Sequence, residues 1–291
     1  VSQRALLLVN RHARRGQADL SSAIERLHAL GLELTEKPIE APQSLSDTIR
    51  QYRDQVDLVI VGGGDGTLNA AIEGLIEVQL PFGILPLGTA NDLARTLGIP
   101  SDLAKACDVI AAGRQERIDL GWVNGKYFFN TASLGLSVQI ARQLDKSAKR
   151  RWGVLAYAMT AIRVLWQSRP FWAGLQVDRA KVRQVRTVQI AVGNGRYYGG
   201  QLTVSNDASM DDRRLDVYSL NIRHWWQMLA LLPAMRSGDY SSHSCVETFR
   251  CQEIQIETRR PYAINTDGEL TTYTPARFRV IPQALSVLVP S

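Results

Sequence analysis

The sequence predicts an α/β domain built on a doubly wound parallel sheet over residues 1–118, followed by an all-β domain, an antiparallel β-sandwich, over residues 119–291. Three observations carry this expectation. The chain has 291 residues, more than one hydrophobic core usually organises. Up to about residue 115, short apolar runs alternate with segments of helical period. After Arg117 that rhythm gives way to short β-rich runs.

In chain order, the first half opens on ALLLVN (5–10), a buried-strand pattern, followed by the helical ADLSSAIERLHAL (18–30). LELTE (32–36) and LSDTIRQYR (45–53) repeat the pair. DLVIVGG (57–63) leads into TLNAAIEGLIE (67–77), and FGILPLG (82–88) leads into ANDLARTLG (90–98). Continuously apolar strands belong to sheets covered on both faces, and alternation with helices makes those sheets parallel. A ligand of such a sheet sits at the carboxyl ends of its strands.

The second half begins with RIDLGWV (117–123), Asn124-Gly125 and KYFFNTASLG (126–135), a hairpin with its turn at Asn-Gly. Further strands are AGLQVD (173–178), TVQIAVGN (187–194), RLDVYSL (214–220), EIQIET (253–258) and RFRVIP (277–282). Helical segments interrupt them near 152–167 and 224–235.

A hydrophobic fraction of 45% and a charged fraction of 21% are those of an ordinary globular protein. The apolar stretch WGVLAYAMTAI (152–162) stops at Arg163, short of the ~20 residues that span a bilayer. The run in VSQRALLLVN is too short for a secretory segment. Cys107, Cys245 and Cys251 show no metal-ligand spacing and read as reduced thiols of a cytoplasmic protein. Charge is unevenly shared. Residues 1–120 hold 12 Lys and Arg against 16 Asp and Glu, and residues 121–291 hold 22 against 12. A basic half suggests an anionic partner such as a membrane surface. No helix-turn-helix, zinc or RNA-recognition motif accompanies it, so nucleic acid is not expected.

VIVGGGDGTLNAAIEGL (59–75) concentrates the chemistry. Gly62, Gly63, Gly64 and Gly66 can form a concave loop free of side chains, and the helix starting near Thr67 adds amides and the positive end of its dipole. A polyphosphate fits there. The spacing is neither GxGxxG nor GxxxxGK[ST]. Asp65 inside the loop repels phosphate unless a cation or a sugar hydroxyl stands between them. GILPLGTANDLAR (83–95) makes a second polar helix start, at Gly88-Thr89 and Asn91-Asp92, aimed at the same crevice.

GGGDGTLN together with PLGTANDLAR resembles the catalytic domain of diacylglycerol kinases and their bacterial lipid-kinase relatives. The GGDGT element is shared with NAD kinases, whereas GTxND followed by Ala-Arg is more specific to the lipid branch. The resemblance covers nearly the whole chain. LLLVNRHARRG is similar to the family's first strand and loop, with Arg11 and Ala13 where the family has Pro and Ser. RIDLGWVNGKYFFNTASLGL resembles its passage into the second domain, TDGEL (266–270) its Asp-Gly-Glu motif, and IPQALSVLVP its closing strand.

The resemblance implies a nucleotide-binding α/β domain packed on a β-sandwich, with the active site between them. It implies ATP contacts from Asn10, Thr35, Gly62, Gly63, Gly64, Asp65, Gly66, Thr67, Leu68, Asn69, Thr89, Asn91 and Asp92. It places the proton acceptor at Glu269, with Asp267 as the alternative base and Asp65 as the acidic member of the phosphate loop. A Mg²⁺ ion is implied in ASMDDRRLDV, with a carboxylate from Asp212 and backbone oxygens from Ser209 and Arg214; Arg213 stands where the family has glycine. The implied activity is transfer of the γ-phosphate of ATP to a lipid-headgroup hydroxyl of the diacylglycerol or phosphatidylglycerol type, at the inner face of the membrane. Such a transfer needs positioned phosphates, metal-neutralised charge and a base near the acceptor. An NAD kinase-like phosphotransferase with a soluble acceptor and a non-catalytic lipid or nucleotide sensor are the competing readings.

Two further segments bear on lipid contact. In RHWWQMLALLPAMRSGDY (223–240), Trp225, Trp226, Leu229, Leu232 and Met235 recur at helical spacing after Arg223. They suit either a core helix or an interfacial one. Lys146, Lys149, Arg150 and Arg151 suit either a solvated face or attraction to anionic headgroups. A homodimer is compatible with the sequence.

Overall fold

The computed structural model describes residues 3–10, 17–39, 41–143, 169–198, 202–203, 208–222, 225–240 and 243–291. The basic cluster at 146–151 and the helical pattern at 152–167 lie outside these residues.

Strands β1 (Gln3–Val9), β2 (Leu32–Pro38), β3 (Leu58–Gly63) and β4 (Phe82–Pro86) pair in parallel in the order β2-β1-β3-β4. The side chains of β3 and β4 are buried at every position, as their unbroken apolar runs require. Helices α1 (Gln17–Ala29), α2 (Leu45–Tyr52), α3 (Asp65–Val78), α4 (Asp92–Thr96) and α5 (Leu103–Ala112) connect the strands; α1 packs with α5, and α2 with α3. Helix α5 is an addition to the sequence reading. Its signals are plain in retrospect. Leu103, Ala106, Cys107 and Ile110 are buried at helical spacing, Asp102 caps the start by accepting from the Lys105 amide at 3.0 Å, and Gly113 ends it at φ 69°.

The second half contributes β5 (Gln115–Val123), β6 (Lys126–Phe128), β7 (Thr131–Gly135), α6 (Leu136–Gln143), β8 (Phe171–Val177), β9 (Arg183–Thr187), β10 (Gln189–Gly193) and β11 (Tyr197–Tyr198). It continues with β12 (Leu202–Thr203), β13 (Leu215–Leu220), a helix over Trp225–Ser237, β14 (Val246–Cys251), β15 (Glu253–Thr258), β16 (Ala263–Thr266), β17 (Glu269–Tyr273) and β18 (Ala276–Leu288). A six-stranded sheet, β14-β13-β10-β7-β16-β17, stacks on the part of the larger sheet formed by β18, β15, β8 and β9, with β5 and β6 alongside. Leu134, Ile190, Val192 and Val217 from one sheet meet Leu175, Ile254, Ile256 and Phe278 from the other, a sandwich core of alternate residues. Leu231 and Ala234 of the Trp225–Ser237 helix are buried against the outer face, beside Tyr218, Leu220 and Tyr240.

The Asn124-Gly125 turn joins Val123 to Lys126 with both residues at positive φ, 46° and 91°. The arm read as one run from 126 to 135 divides. Residues 126–128 pair with β5, and residues 131–135 cross into the other sheet. Strand β18 joins the two halves. It runs antiparallel to β5 and β15, shifts register between Ile281 and Leu285, and ends parallel to β4 at Val287 and Phe82. Ala284, Leu285, Val287, Leu288 and Val289 therefore fill the core of the α/β domain, though a division at residue 118 assigns them to the second.

Helices α2 and α3 are held very close. Ser46 Oγ accepts from the Gly74 amide and donates to the Ala70 carbonyl, both at 3.0 Å. A Cβ on Gly74 would lie 2.7 Å from Ser46 Cα and 2.9 Å from its carbonyl oxygen. Gly74→Ala should therefore destabilise the protein by about 1–3 kcal/mol through overpacking, although alanine favours an isolated helix. A lower urea midpoint at unchanged slope is the expected result.

Candidate active site

The strand order reverses between β1 and β3, and at their carboxyl ends two loops come together. The Asn10 amide donates to the Gly62 carbonyl at 3.0 Å. Gly64 precedes α3, and its carbonyl accepts from the Thr67 and Leu68 amides at 2.9 and 3.1 Å. The helix thus begins at Asp65, two residues ahead of the sequence estimate, and Gly66 lies in its first turn. The glycines serve two purposes. A Cβ on Gly88 would lie 2.5 Å from Gly64 Cα, so this pair lets the two loops touch. A Cβ on Gly66 would meet nothing within 4 Å, so this position faces open space beside the helix N-terminus. Anions are favoured there by free amides and the helix dipole.

The GTAND loop braces this arrangement. Asn91, at φ 50°, accepts from the Gly88 amide at 2.9 Å and donates to its carbonyl at 3.0 Å. Asp65 Oδ1 accepts from the Leu93 amide at 3.1 Å, which ties the start of α3 to α4. Asp65 is therefore half-buried and anchored, not a side chain on a solvent-facing loop. Asp92 is buried, Thr89 is exposed at the turn, and Asn69 Oδ1 is buried with no partner among the described residues. Thr35 stands apart. It pairs with Leu6, three residues before Pro38, the position level with Val9, so ~10 Å of strand separates it from the rim.

From the sandwich, the β16–β17 hairpin presents Asp267, Gly268 and Glu269. Thr266 pairs with Glu269 across a two-residue turn whose φ values, 47° at Asp267 and 98° at Gly268, are those the Asp-Gly dipeptide favours. The turn separates the two acids. The Asp267 carboxylate accepts from three successive amides: Phe129 at 2.7 Å, Asn130 at 3.0 Å and Thr131 at 2.9 Å. Burial raises its pKa to about 6, the three amides oppose that rise, and the Asp65 charge adds to it. The Asp65 charge reaches Asp267, so the glycine loop and the Asp-Gly-Glu turn lie within electrostatic reach of each other. Glu269 is exposed at the start of β17.

The 208–214 loop is tied to β5, where the Asp119 amide donates to the Met210 carbonyl at 2.5 Å. Ser209 Oγ donates to Asp211, and Asp212 Oδ1 accepts from the Arg214 amide at 3.0 Å. Burial pushes the Asp212 pKa up, and the nearby Asp216 and Asp119 charges add to the rise against the Arg214 amide. A cation suits such a cluster of negative charge. Among the described residues no three His, Cys, Asp or Glu side chains gather as a metal cage. Arg213, in the glycine position, holds φ 59°, the conformation that favours glycine.

Two residues missing from the sequence reading organise this wall. Asp119, 1% exposed, accepts from the Arg213 amide at 2.6 Å and from the Gln283 amide at 2.7 Å. Asn194, 2% exposed, donates to the carbonyls of Asp119 and Phe129 at 3.0 and 2.8 Å. Their signal was a lone acid and a lone amide inside apolar strand runs, IDLGWV and IAVGN.

The model of the diacylglycerol kinase catalytic domain matches residues 4–123. The model of the YegS C-terminal NAD kinase beta sandwich-like domain matches residues 130–289. The chain belongs to the diacylglycerol kinase family, in its bacterial lipid-kinase branch. The diacylglycerol kinase of Staphylococcus saprophyticus is 26% identical over 275 residues, covering 94% of this chain and 90% of that protein. That of Bacillus subtilis strain 168 is 28% identical over 239 residues, covering 81% and 78%. A crystal structure from Bacillus anthracis str. Sterne superposes with a TM-score of 0.87 at 26% identity, covering 99% of this chain and 95% of the other. Membership makes this lipid kinase a phosphotransferase with an alcohol acceptor.

The two acids of the turn should separate in a stability measurement. Asp267→Asn replaces an acceptor oxygen by a donor facing backbone N–H groups and should cost about 1–3 kcal/mol. Glu269→Gln should leave Tm unchanged. The raised Asp267 pKa also has a sign. Its contribution to stability is fully present below the unfolded value of 3.8 and is lost as pH rises through about 6. The stability gap between wild type and Asp267→Asn should therefore narrow from pH 4 to pH 7. Denaturant titrations of both proteins across that range check the slope.

Proposed function

We propose that this lipid kinase transfers the γ-phosphate of ATP to a hydroxyl of a lipid headgroup, of the diacylglycerol or phosphatidylglycerol type, with Glu269 as the proton acceptor. The observation that supports the reading is the nearness of the glycine loop of one domain to the Asp-Gly-Glu turn of the other. The Gly64–Gly88 contact brings two phosphate-facing loops together, and the Asp-Gly-Glu turn of the other domain stands within reach of Asp65. Family membership supports the kinase chemistry and the lipid acceptor.

The residues divide the work by what their atoms are free to do. The α3 N-terminus with Gly66 and Thr67 binds phosphate oxygens, and Asn69 offers a buried acceptor beside it. Asn10, Gly62, Gly63, Asn91 and Asp92 shape the cradle. Asp65 orients the start of α4 through Leu93. Asp267 has both oxygens engaged by amides, which favours a positioning role. Glu269, exposed one residue beyond the turn, has a carboxylate available to take the acceptor's proton. The loop of Ser209, Asp212 and Arg214 would hold Mg²⁺, which neutralises charge on the transferring phosphates when bound. No helix among the described residues is long and apolar enough to cross a membrane. We propose peripheral contact with the inner membrane face, where the acceptor resides.

Incubation with radiolabelled ATP and a panel of diacylglycerol, phosphatidylglycerol, a sphingoid base and soluble NAD tests the reading. A labelled lipid product supports it, and label on NAD alone overturns it. Glu269→Gln should lower kcat by about 10²–10⁴-fold with KM for ATP little changed. Asp65→Asn keeps the acceptor for Leu93 and so should retain the fold; because it removes the charge that would face a cation or sugar hydroxyl of the nucleotide, it should lose most turnover. Wild-type kcat in Glu269→Gln would remove that residue from the base role.

A further inference from the structure

A cavity of about 690 Å³ opens on the sandwich where the turns after β8 and β14 meet β18; its lining includes Arg179, Arg213, Arg279, Asp178, Glu253 and Pro282. Its acids are already engaged. Asp178 Oδ1 accepts from the Gln252 and Glu253 amides at 2.9 and 3.0 Å, and Glu253 Oε2 receives the Arg277 guanidinium at 2.7 Å. Among the described residues no carboxylate forms an ion pair with Arg179, Arg213 or Arg279. The Arg279 guanidinium carbon lies 4.2 Å from the centroid of the Trp122 ring, a cation–π contact that holds the group over the indole. The cavity lining therefore carries three arginines against two carboxylates, of which Glu253 is paired with Arg277 and also feels the Arg179 charge, so the lining keeps a net positive excess.

The backbone beneath them adds a second observation. Arg179 and Arg213 hold φ values of 64° and 59°, where glycine is the inexpensive residue. Arginine in both places accepts strain and sets a guanidinium on the rim. The position also connects to the rest of the molecule. The Arg213 amide and the Gln283 amide, next to Pro282, hold the two carboxylate oxygens of Asp119. An occupant touching Arg213 would brace the loop that carries Asp212.

We propose that this cavity is a second anion site, separate from the glycine cleft, which takes a phosphate monoester dianion. Guanidinium forks match the oxygen geometry of that group. Inorganic phosphate and the phosphorylated headgroup of a membrane lipid share this chemistry. The site accounts for part of the basic excess of the second half, which the transfer reaction leaves unused.

Calorimetric titration with inorganic phosphate, and flotation with phosphatidylcholine vesicles containing either phosphatidic acid or phosphatidylglycerol, test the proposal on the full chain. The proteins are wild type, the Arg179→Gln/Arg279→Gln pair, and Arg186→Gln as an exposed arginine outside the cavity. Phosphate bound in the glycine cleft contributes equally to all three. The double substitution should weaken binding by at least about tenfold, two charge-assisted contacts being lost, while Arg186→Gln does not. A loss for inorganic phosphate assigns the free anion; a loss only for phosphatidic acid vesicles assigns the lipid headgroup. Equal binding by wild type and the double variant with every probe overturns the proposal. So does an equal loss on phosphatidylglycerol vesicles, a phosphodiester surface, because it reduces the cavity to a generally basic face. Arg179→Gln alone, on an exposed turn, repeats the comparison should the pair lower stability.

Discussion

Asp119 is where strand β5, the 208–214 loop and strand β18 are tied together. Its amide donates to the Met210 carbonyl at 2.5 Å, its carbonyl accepts from Asn194, and its carboxylate oxygens accept from Arg213 and Gln283. Through its backbone and its carboxylate together, this one residue holds the 208–214 loop, the end of strand β10 and the bulge of β18 against β5. A buried carboxylate is costly unless its lone pairs are satisfied, so each of these backbone segments is needed to keep Asp119 in place, and Asp119 keeps them in register. The candidate metal loop, the interdomain strand and the arginine-lined cavity all depend on this arrangement.

Asp267 repeats the device on the cleft side. Its three amide partners, residues 129–131, are the point where the chain leaves β6 and crosses to β7. Capture of those amides forces the crossing and brings the Asp-Gly-Glu turn to the cleft. The same contacts engage both Asp267 oxygens, Oδ1 twice and Oδ2 once, whereas Glu269 stands exposed beyond the turn. Two acids two residues apart, alike in sequence, acquire different chemical capacities from the hydrogen bonds each makes.

The glycine loop and the GTAND loop are joined by contact of backbone on backbone. The Gly64–Gly88 approach, the Asn91 clamp and the Asp65–Leu93 bond together make one rigid surface from two strand ends. Rigid loops suit phosphoryl transfer, where catalysis rests on positioning and preorganised charge.

The sequence by itself determined the parallel sheet, the sandwich, both two-residue turns and the motif positions. Each depends on local signals: apolar period, Asn-Gly and Asp-Gly dipeptides, and glycines at strand ends. Helix α5 was equally legible from its caps. Only the tertiary structure decided that Ala284–Val289 complete the first core, since parallel pairing of β18 with β4 joins residues some two hundred positions apart. Likewise, the roles of Asp119 and Asn194, the distance of Thr35 from the rim and the difference between Asp267 and Glu269 depend on long-range hydrogen bonds and strand register. A carboxylate reads the same in any sequence. Whether it is an anchor or a base is settled by which amides, brought from elsewhere in the chain, reach its oxygens.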